Sequence, residues 1–225
     1  MLEQIRGKLV VSCQALADEP LHSSFVMGRM ALAAKEGGAA AIRAQGVGDI
    51  LEIRRVTGLP VIGLIKRRQE DSPVYITPTA REVTELLATP CEMVALDATR
   101  WRRSGEAAEL MARIHGAGRL ALADVATYEE GLEAVKAGAD AVSTALAGYT
   151  KDSSLTPGPD LALVERLVAA LPVPVLAEGR IASPEDLRRA MAAGAWAAVV
   201  GSAITRPQLI TAEFARALMP PEARL

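Results

Sequence analysis

Short apolar runs alternate with helical segments along the whole chain, and this alternation is the feature that most limits the fold. A chain of 225 residues accommodates eight strand-and-helix units of about 28 residues each. The runs are apolar throughout, as expected of parallel strands that are buried on both faces. The sequence therefore predicts an α/β protein, a single-domain (β/α)8 TIM barrel over residues 1–225 with a short N-terminal helix. The predicted strands are 9–15, 40–44, 61–66, 93–97, 120–124, 141–146, 173–177 and 197–200.

Helix-start signals lie between the predicted strands. Thr79 with Glu82, and Thr127 with Glu130, have the spacing of a capping box, in which two side chains satisfy free N–H groups at the start of a helix. Ser183 precedes a proline and two acids, which favour the first helical turn. These signals predict helices after strands three, five and seven.

The net charge and the composition limit the kinds of partner that this protein is expected to bind. The net charge is −2 and aromatic residues make up 3% of the chain, which argues against a nucleic-acid or membrane surface and leaves little for base stacking. Cys13 and Cys91 provide no disulfide framework. The N-terminus is too polar for a signal peptide, and no apolar run approaches the roughly 18 residues of a membrane span. We therefore expect a cytoplasmic protein without nucleic-acid or membrane partners.

Two turns near the C-terminus have the composition of a phosphate site. Gly179 and Gly201 each follow a predicted strand, and a single helix joins the two strands. Glycine lets backbone N–H groups approach a ligand closely, and a helix beginning at Ser202 would direct free N–H groups towards an anion. Such paired turns are typical of the phosphate grip at the last two strands of a (β/α)8 barrel. The alternative interpretation is that these glycines serve only tight turns.

Polar side chains stand at the C-terminal ends of the otherwise apolar strands, where barrels of this kind carry their chemistry. A charge at the end of a buried strand is costly unless it is paired or functional. The residues in question are Gln14, Arg43, Lys66, Asp97, Asp124 and Glu178. Several of them are predicted to line one site, with structural ion pairs at the rim as the alternative.

Lys66 is the strongest candidate for a base, since burial and a neighbouring cation such as Arg43 would lower the pKa of its amine towards neutrality. Strands three and seven face each other in an eight-stranded barrel, so Lys66 and Glu178 are expected on opposite sides of the mouth. That arrangement suits removal of a proton from one face of a carbon and its return to the other. The two histidines, His22 and His115, are not at strand ends, and no metal site is predicted.

Long motifs are spread along nearly the whole chain. They are Val-Ser-Cys-Gln-Ala at 11–15, Glu-Pro-Leu-His at 19–22, Gly-Leu-Ile-Lys-Arg at 63–67, Ser-Pro-Val-Tyr-Ile-Thr-Pro-Thr at 72–79, Ala-Leu-Asp-Ala-Thr at 95–99, Gly-Tyr-Thr at 148–150, Ala-Glu-Gly-Arg-Ile at 177–181 and Gly-Ser-Ala-Ile-Thr-Arg-Pro at 201–207. Together these motifs resemble the N-acylglucosamine-6-phosphate 2-epimerase family, also called the N-acetylmannosamine-6-phosphate 2-epimerase family. The region 143–150 departs from the family pattern, which leaves the contacts of the following loop open.

The resemblance implies interconversion of N-acetylmannosamine 6-phosphate and N-acetylglucosamine 6-phosphate, a step in sialic acid breakdown, by a homodimer. No redox cofactor is needed, because the C1 aldehyde of the open-chain sugar acidifies the proton at C2. The implied residues are Lys66 as base and Glu178 as catalytic partner, Gln14, Arg43 and Asp124 around the sugar, and Gly179, Arg180, Gly201, Ser202 and Arg206 around the phosphate.

Two other functions remain compatible with the residues. A Schiff-base aldolase would also use a lysine on a barrel strand. A regulator that senses a phosphosugar would keep the phosphate turns without needing the Lys66–Glu178 pair. For the epimerase itself, the sequence does not separate a one-base from a two-base scheme, and Glu178 is a candidate either for protonating C2 or for opening the sugar ring.

Overall fold

Eight parallel strands pair in chain order and close on themselves in the computed structural model, which describes residues 1–103 and 105–218. The barrel closes where β8 pairs with β1, with Val10 opposite Val199. This arrangement confirms the predicted (β/α)8 barrel. The strands are β1 (Leu9–Cys13), β2 (Ala41–Gln45), β3 (Val61–Leu64), β4 (Met93–Asp97), β5 (Leu120–Asp124), β6 (Ala141–Ser143), β7 (Val175–Glu178) and β8 (Ala197–Val200).

The helices of the described residues alternate with the strands and surround the barrel. They are α1 (Leu2–Ile5), α2 (Ser24–Glu36), α3 (Val47–Thr57), α4 (Ala80–Leu87), α5 (Glu106–Gly116), α6 (Tyr128–Lys136), α7 (Leu161–Ala170), α8 (Pro184–Ala192), α9 (Ser202–Thr205) and α10 (Pro207–Ala217). Capping boxes headed by Thr79, Thr127 and Ser183 open α4, α6 and α8, which confirms all three predicted helix starts. In the part of the chain that the structure describes, no helix is long and apolar enough to cross a bilayer.

Apolar side chains fill the barrel from its N-terminal end upward. Ile5 of α1 is fully buried and packs with the inward-facing residues of the strands, such as Ile62, Leu122 and Leu176. The indole Nε1 of Trp196 donates to the backbone oxygen of Leu2 at 2.9 Å and holds α1 against this end. A second, larger layer of buried apolar residues lies between the strands and the helices. The C-terminal end of the barrel is thereby left for polar side chains.

The alternation of side chains along each strand places polar residues on the interior face of the barrel, above the layer of apolar side chains. Side chains two residues apart in a strand share a face. Arg43 therefore follows Ala41 into the barrel, Asp124 follows Leu122, and Glu178 follows Leu176.

Several strands are shorter than predicted. β3 ends at Leu64 because the next residues pair with residues further along the chain, as shown by the antiparallel bridge between Lys66 and Ile76. β7 begins at Val175, since the preceding Pro174 has no N–H to donate to a neighbouring strand. The differences all fall at strand ends, where a residue can either pair with the neighbouring strand or form part of the adjoining loop.

Candidate active site

A cavity of about 710 Å³ opens at the C-terminal ends of the strands, where the sequence predicted the site. Nine of the ten predicted site residues line it: Gln14, Arg43, Lys66, Glu178, Gly179, Arg180, Gly201, Ser202 and Arg206. The tenth, Asp124, is fully buried and contacts Arg43 from within the barrel. The volume lies in the range of pockets that hold small molecules.

Arg43 forms the floor of the cavity between two carboxylates. Its Nη1 and Nη2 donate to the two carboxylate oxygens of Asp124 at 3.0 and 2.6 Å, and Nη1 also donates to Oε2 of Glu178 at 2.9 Å. Burial works to lower the pKa of Arg43, but Asp124 and Glu178 outweigh burial and raise it. The guanidinium is therefore always charged, and its bidentate pairing with Asp124 fixes the side chain.

Lys66 presents a perturbed amine to this cavity. Burial, followed by the positive charges of Arg43 and Arg206, lowers the pKa of Lys66 to about 8, against the opposing influence of Glu178 and Glu19. Within residues 1–103 and 105–218, its Nζ forms no hydrogen bond or ion pair. An amine with these properties is partly neutral near physiological pH and has a free lone pair, as a general base requires.

The carboxylate of Glu178 is held in place by neighbours on two strands. Ser143 Oγ donates to Glu178 Oε2 at 3.0 Å, on the same oxygen that accepts from Arg43. Burial raises the pKa of Glu178, although Arg43 opposes the shift. The Thr144 hydroxyl donates to the backbone oxygen of Glu178 at 2.8 Å and accepts from its N–H at 3.0 Å. Ser143 and Thr144 were not predicted as site residues; their signal was two consecutive hydroxyl side chains within the predicted strand 141–146, and the observed strand ends at Ser143.

Gln14 contributes a polar atom without a partner. Its Nε2 donates to the Oγ of Ser12 at 2.6 Å, and its Oε1 is buried without a hydrogen bond to any described residue. Buried polar atoms in proteins nearly always find a partner. An acceptor in this position on the cavity wall is suited to an N–H or O–H group of a ligand.

The two glycine turns have the backbone geometry of close-approach sites. Gly179 has a φ of 99°, and Arg180, unusually for a residue with a side chain, has a φ of 54°. Gly201 lies so close to β1 that an added Cβ would be 3.3 Å from the Cβ of Ser12. α9 begins directly afterwards at Ser202, so its first N–H groups lack partners inside the helix.

The side chain of Arg180 turns away from these turns and holds the loop between β6 and α7. Its Nε donates to the backbone oxygen of Gly158 at 2.8 Å and its Nη2 to Oγ1 of Thr156 at 2.9 Å, while Nη1 donates to the backbone oxygen of Ala147. Three of the five N–H groups of this guanidinium are therefore used to hold the loop.

Arg206 lies on the cavity wall as half of an ion pair. Its Nη2 donates to Oε2 of Glu19 at 3.0 Å, and Glu19 also accepts from Gln208 Nε2 at 3.1 Å and from the N–H of Leu16 at 2.8 Å. Glu19 was part of a recognised motif but had no predicted role. Because Arg206 remains 28% exposed, its charge is accessible from the cavity.

Asp97 and the histidines lie outside this arrangement. Asp97 is buried, accepts hydrogen bonds from the N–H and hydroxyl of Thr99 at 2.9 and 2.7 Å, and is not among the residues that line the cavity. His22 contacts the backbone oxygen of Ala15, and His115 contacts Asp140. Among the residues described, no group of three or more His, Cys, Asp or Glu side chains is arranged to hold a metal ion.

The sequence matches one family over most of its length. The family profile described as "Putative N-acetylmannosamine-6-phosphate epimerase" matches residues 27–219. Curated relatives named "Putative N-acetylmannosamine-6-phosphate 2-epimerase" include one from Clostridium perfringens, 60% identical over 95% of this chain and 98% of the relative. Another, from Clostridioides difficile, is 57% identical over 97% and 99% of the two chains.

Solved structures agree with the sequence comparison. The N-acetylmannosamine-6-phosphate 2-epimerase from Clostridium perfringens superposes with a TM-score of 0.94 at 58% identity, covering 97% of this chain and 96% of the other. A thiamine phosphate pyrophosphorylase from Pyrococcus furiosus, with a TM-score of 0.62 at 22% identity and coverages of 94% and 93%, shares the fold alone. The family match and the near-complete coverage of its relatives show that this chain belongs to the N-acetylmannosamine-6-phosphate 2-epimerase family of carbohydrate epimerases.

Proposed function

We propose that this protein interconverts N-acetylmannosamine 6-phosphate and N-acetylglucosamine 6-phosphate by removing and returning the proton at C2, as a step in sialic acid breakdown. The observation that carries the proposal is the free amine of Lys66, with its pKa lowered to about 8, in the same cavity as the Arg43-bound carboxylate of Glu178. A base and an acid in one cavity of ligand size are what a proton-transfer reaction at carbon requires.

The first step is proton transfer from C2 to the neutral amine of Lys66. The electron pair of the C2–H bond moves to form a C1–C2 double bond, and the C1 carbonyl oxygen becomes an enolate oxygen. Return of a proton to the opposite face of C2 completes the epimerisation and restores the aldehyde. Two residues are candidates for stabilising the enolate: Arg43, through its fixed positive charge and its unpartnered Nε–H, and Gln14, through the second N–H of its side-chain amide.

Glu178 is proposed as the partner of Lys66 in one of two roles. Burial raises the pKa of its carboxyl, which favours a form that can give a proton to C2. The same group can instead move the proton that opens the sugar ring before the C2 step. In the first role the reaction uses two acid–base groups; in the second, Lys66 both removes and returns the C2 proton.

The 6-phosphate is proposed to bind at the turns after β7 and β8. The N–H groups of Gly179, Arg180, Gly201 and Ser202 provide donors, and Arg206 provides charge. Support comes from the positive φ values of Gly179 and Arg180 and from the exposed fraction of Arg206 on the cavity wall. Asp124 acts in this proposal through Arg43, which it holds towards the sugar.

We also propose that the protein is a cytoplasmic homodimer without nucleic-acid or membrane partners. None of the residues of α10 is buried, and its Leu209 and Phe214 side chains are 44% and 76% exposed. An 11-residue helix with apolar side chains in solvent is a suitable surface for a second copy. Two free cysteines and a net charge of −2 support the proposed compartment and the proposed lack of nucleic-acid binding.

Incubation with N-acetylmannosamine 6-phosphate in D₂O, followed by NMR at C2, tests the proposal. The expected result is loss of the C2 proton signal together with formation of the second epimer. Borohydride added during turnover distinguishes the aldolase, because only a Schiff base would leave a stable adduct on Lys66. Binding of the phosphosugar without exchange at C2 would favour the regulator.

A further inference from the structure

The segment of residues 74–78, here called the strap, lies between β3 and α4 in the chain, pairs with residues 65–67 after β3 and is hydrogen bonded to β4. Lys66 lies opposite Ile76 in an antiparallel bridge. The residues on either side of Lys66 are hydrogen bonded to the strap: Thr77 N–H donates to the oxygen of Ile65 at 2.7 Å, and Arg67 N–H donates to the oxygen of Tyr75 at 2.9 Å. Lys66 and Ile76 thus form a non-hydrogen-bonded pair, whose side chains are close and share a face. Both line the cavity.

Thr77 joins this short ladder to the barrel. Its hydroxyl donates to the backbone oxygen of Ala95 in β4 at 2.6 Å and accepts from the N–H of Ile65 at 3.3 Å. The residue is fully buried and has a φ of 45°, a left-handed conformation that a β-branched side chain disfavours. Strained residues of this kind persist only where their surroundings overdetermine them, and they concentrate at functional sites.

Arg102 holds the strap from its other side. The guanidinium is almost fully buried and donates from Nε to the backbone oxygen of Asp97 at 2.7 Å, from Nη1 to that of Pro78 at 2.7 Å and from Nη2 to that of Thr77 at 3.1 Å. Three carbonyls on two segments are thereby fixed by one rigid side chain. The N–H of Asp97 also donates to the oxygen of Ile76 at 3.0 Å, which completes the attachment of the strap to β4.

We propose that Thr77 is a positioning residue that, with Arg102, holds the Lys66 amine inside the cavity and away from bulk water. The inference rests on the proposed role of Lys66 as the base, but its structural part concerns only the environment of the amine. Loosening the strap admits water around Lys66, and hydration favours the charged form of an amine. The charged groups that face Lys66 come from other elements: Arg43 on β2, Glu178 on β7, Arg206 after α9 and Glu19 before α2.

The test is a titration of Lys66 by NMR in the full-length protein with lysine labelled at Cε. The chain has five lysines, and Lys66→Arg identifies the resonance of Lys66 by its disappearance. Thr77→Val removes both hydroxyl hydrogen bonds while keeping the shape of the side chain. The expected result is a rise of about one unit in the pKa of Lys66 and a roughly tenfold loss of C2 exchange at pH 7, with KM little changed. Thr77→Ser keeps the hydroxyl and should retain both the wild-type pKa and the exchange rate.

Thr89→Val is the matched control at the opposite end of the barrel. The buried Thr89 hydroxyl also donates to a backbone oxygen, of Leu86 at 2.7 Å, and accepts from a backbone N–H, of Cys91 at 3.4 Å. This variant should lose stability as Thr77→Val does but leave the pKa of Lys66 unchanged. If Thr77→Val fails to fold, Arg102→Lys loosens the strap from its other side and should raise the pKa of Lys66 in the same direction.

Two results would overturn the inference. The first is an unchanged pKa of Lys66 in the folded Thr77→Val protein, or in Arg102→Lys if Thr77→Val does not fold. The second is a rise in the pKa of Lys66 in Thr89→Val that equals the rise in the strap variant. Failure of the proposed function is a separate outcome. A wild-type protein that exchanges no proton at C2 would refute the epimerase chemistry, whereas the titration would still report whether the strap controls the Lys66 amine.

Discussion

Arg43 and Glu178 are 135 positions apart in the chain, yet Arg43 Nη1 lies 2.9 Å from Glu178 Oε2. The same carboxylate oxygen accepts from the hydroxyl of Ser143 at 3.0 Å. Glu178 is therefore anchored through Oε2, and its other oxygen, Oε1, forms no hydrogen bond with the described residues. A substrate-facing acid needs this combination of a fixed position and a free oxygen.

Glu178→Gln keeps the shape of this side chain and removes its acid–base function. If Glu178 carries the second proton, the variant should still wash deuterium into C2 of the starting sugar but form little epimer. If Glu178 opens the ring, wash-in and epimerisation should fall together, and an acyclic substrate should restore both. The measurement is NMR of both epimers in D₂O. Wild-type rates of exchange and epimerisation in this variant would exclude both roles.

Lys66→Ala should abolish nearly all C2 exchange and epimerisation while the barrel stays folded. The expected loss is at least the roughly 10²–10⁴-fold typical of a general base. Circular dichroism provides the control for the fold. Substantial exchange in this variant would show that the base is another group, with Asp124 and Glu178 the next candidates.

The rate of C2 exchange should rise with pH and reach a plateau above the pKa of Lys66, which is about 8. The neutral amine is the reactive form, so the rate below the plateau should fall about tenfold for each pH unit. Measurement of exchange from pH 6 to 9.5 at saturating substrate tests this dependence. A rate that fell with rising pH through this range would indicate a protonated group as the essential form.

Lys66→Met should stabilise the protein at pH 7. The folded-state pKa of about 8 lies below the ordinary value of 10.5, so between these values the unfolded chain binds more protons and stability rises with pH. Removing the amine should add on the order of 1 to 3 kcal/mol to the free energy of unfolding at pH 7, and this gain should shrink as the pH rises towards 10.5. Lys136→Met, at a position whose side chain is 70% exposed, is the control and should show little gain. Denaturant unfolding at pH 7 and pH 10 measures both variants.

N-acetylmannosamine without its phosphate should be a very poor substrate. The N–H groups near Gly179 and Gly201 and the charge of Arg206 would have no anion to bind, so kcat/KM should fall by about 10³ or more. Inorganic phosphate should compete with the phosphosugar, and Arg206→Gln should weaken that competition. Comparable turnover of the two sugars would show that these turns do not select a phosphate.

The periodic pattern of the sequence determined the barrel and the end of the barrel at which polar residues collect. Apolar runs, capping boxes such as that of Thr79, and residues such as Lys66 and Glu178 at strand ends are local features, so they can be read without knowing which elements meet. The tertiary structure decided which side chains pair. Asp124 lies beneath Arg43 and the guanidinium of Arg180 holds a neighbouring loop, because these contacts depend on barrel closure between residues far apart in the chain. The attachment of the strap to β4, through Thr77 and Ala95, depends in the same way on the packing of β3 against β4, which no spacing in the sequence specifies.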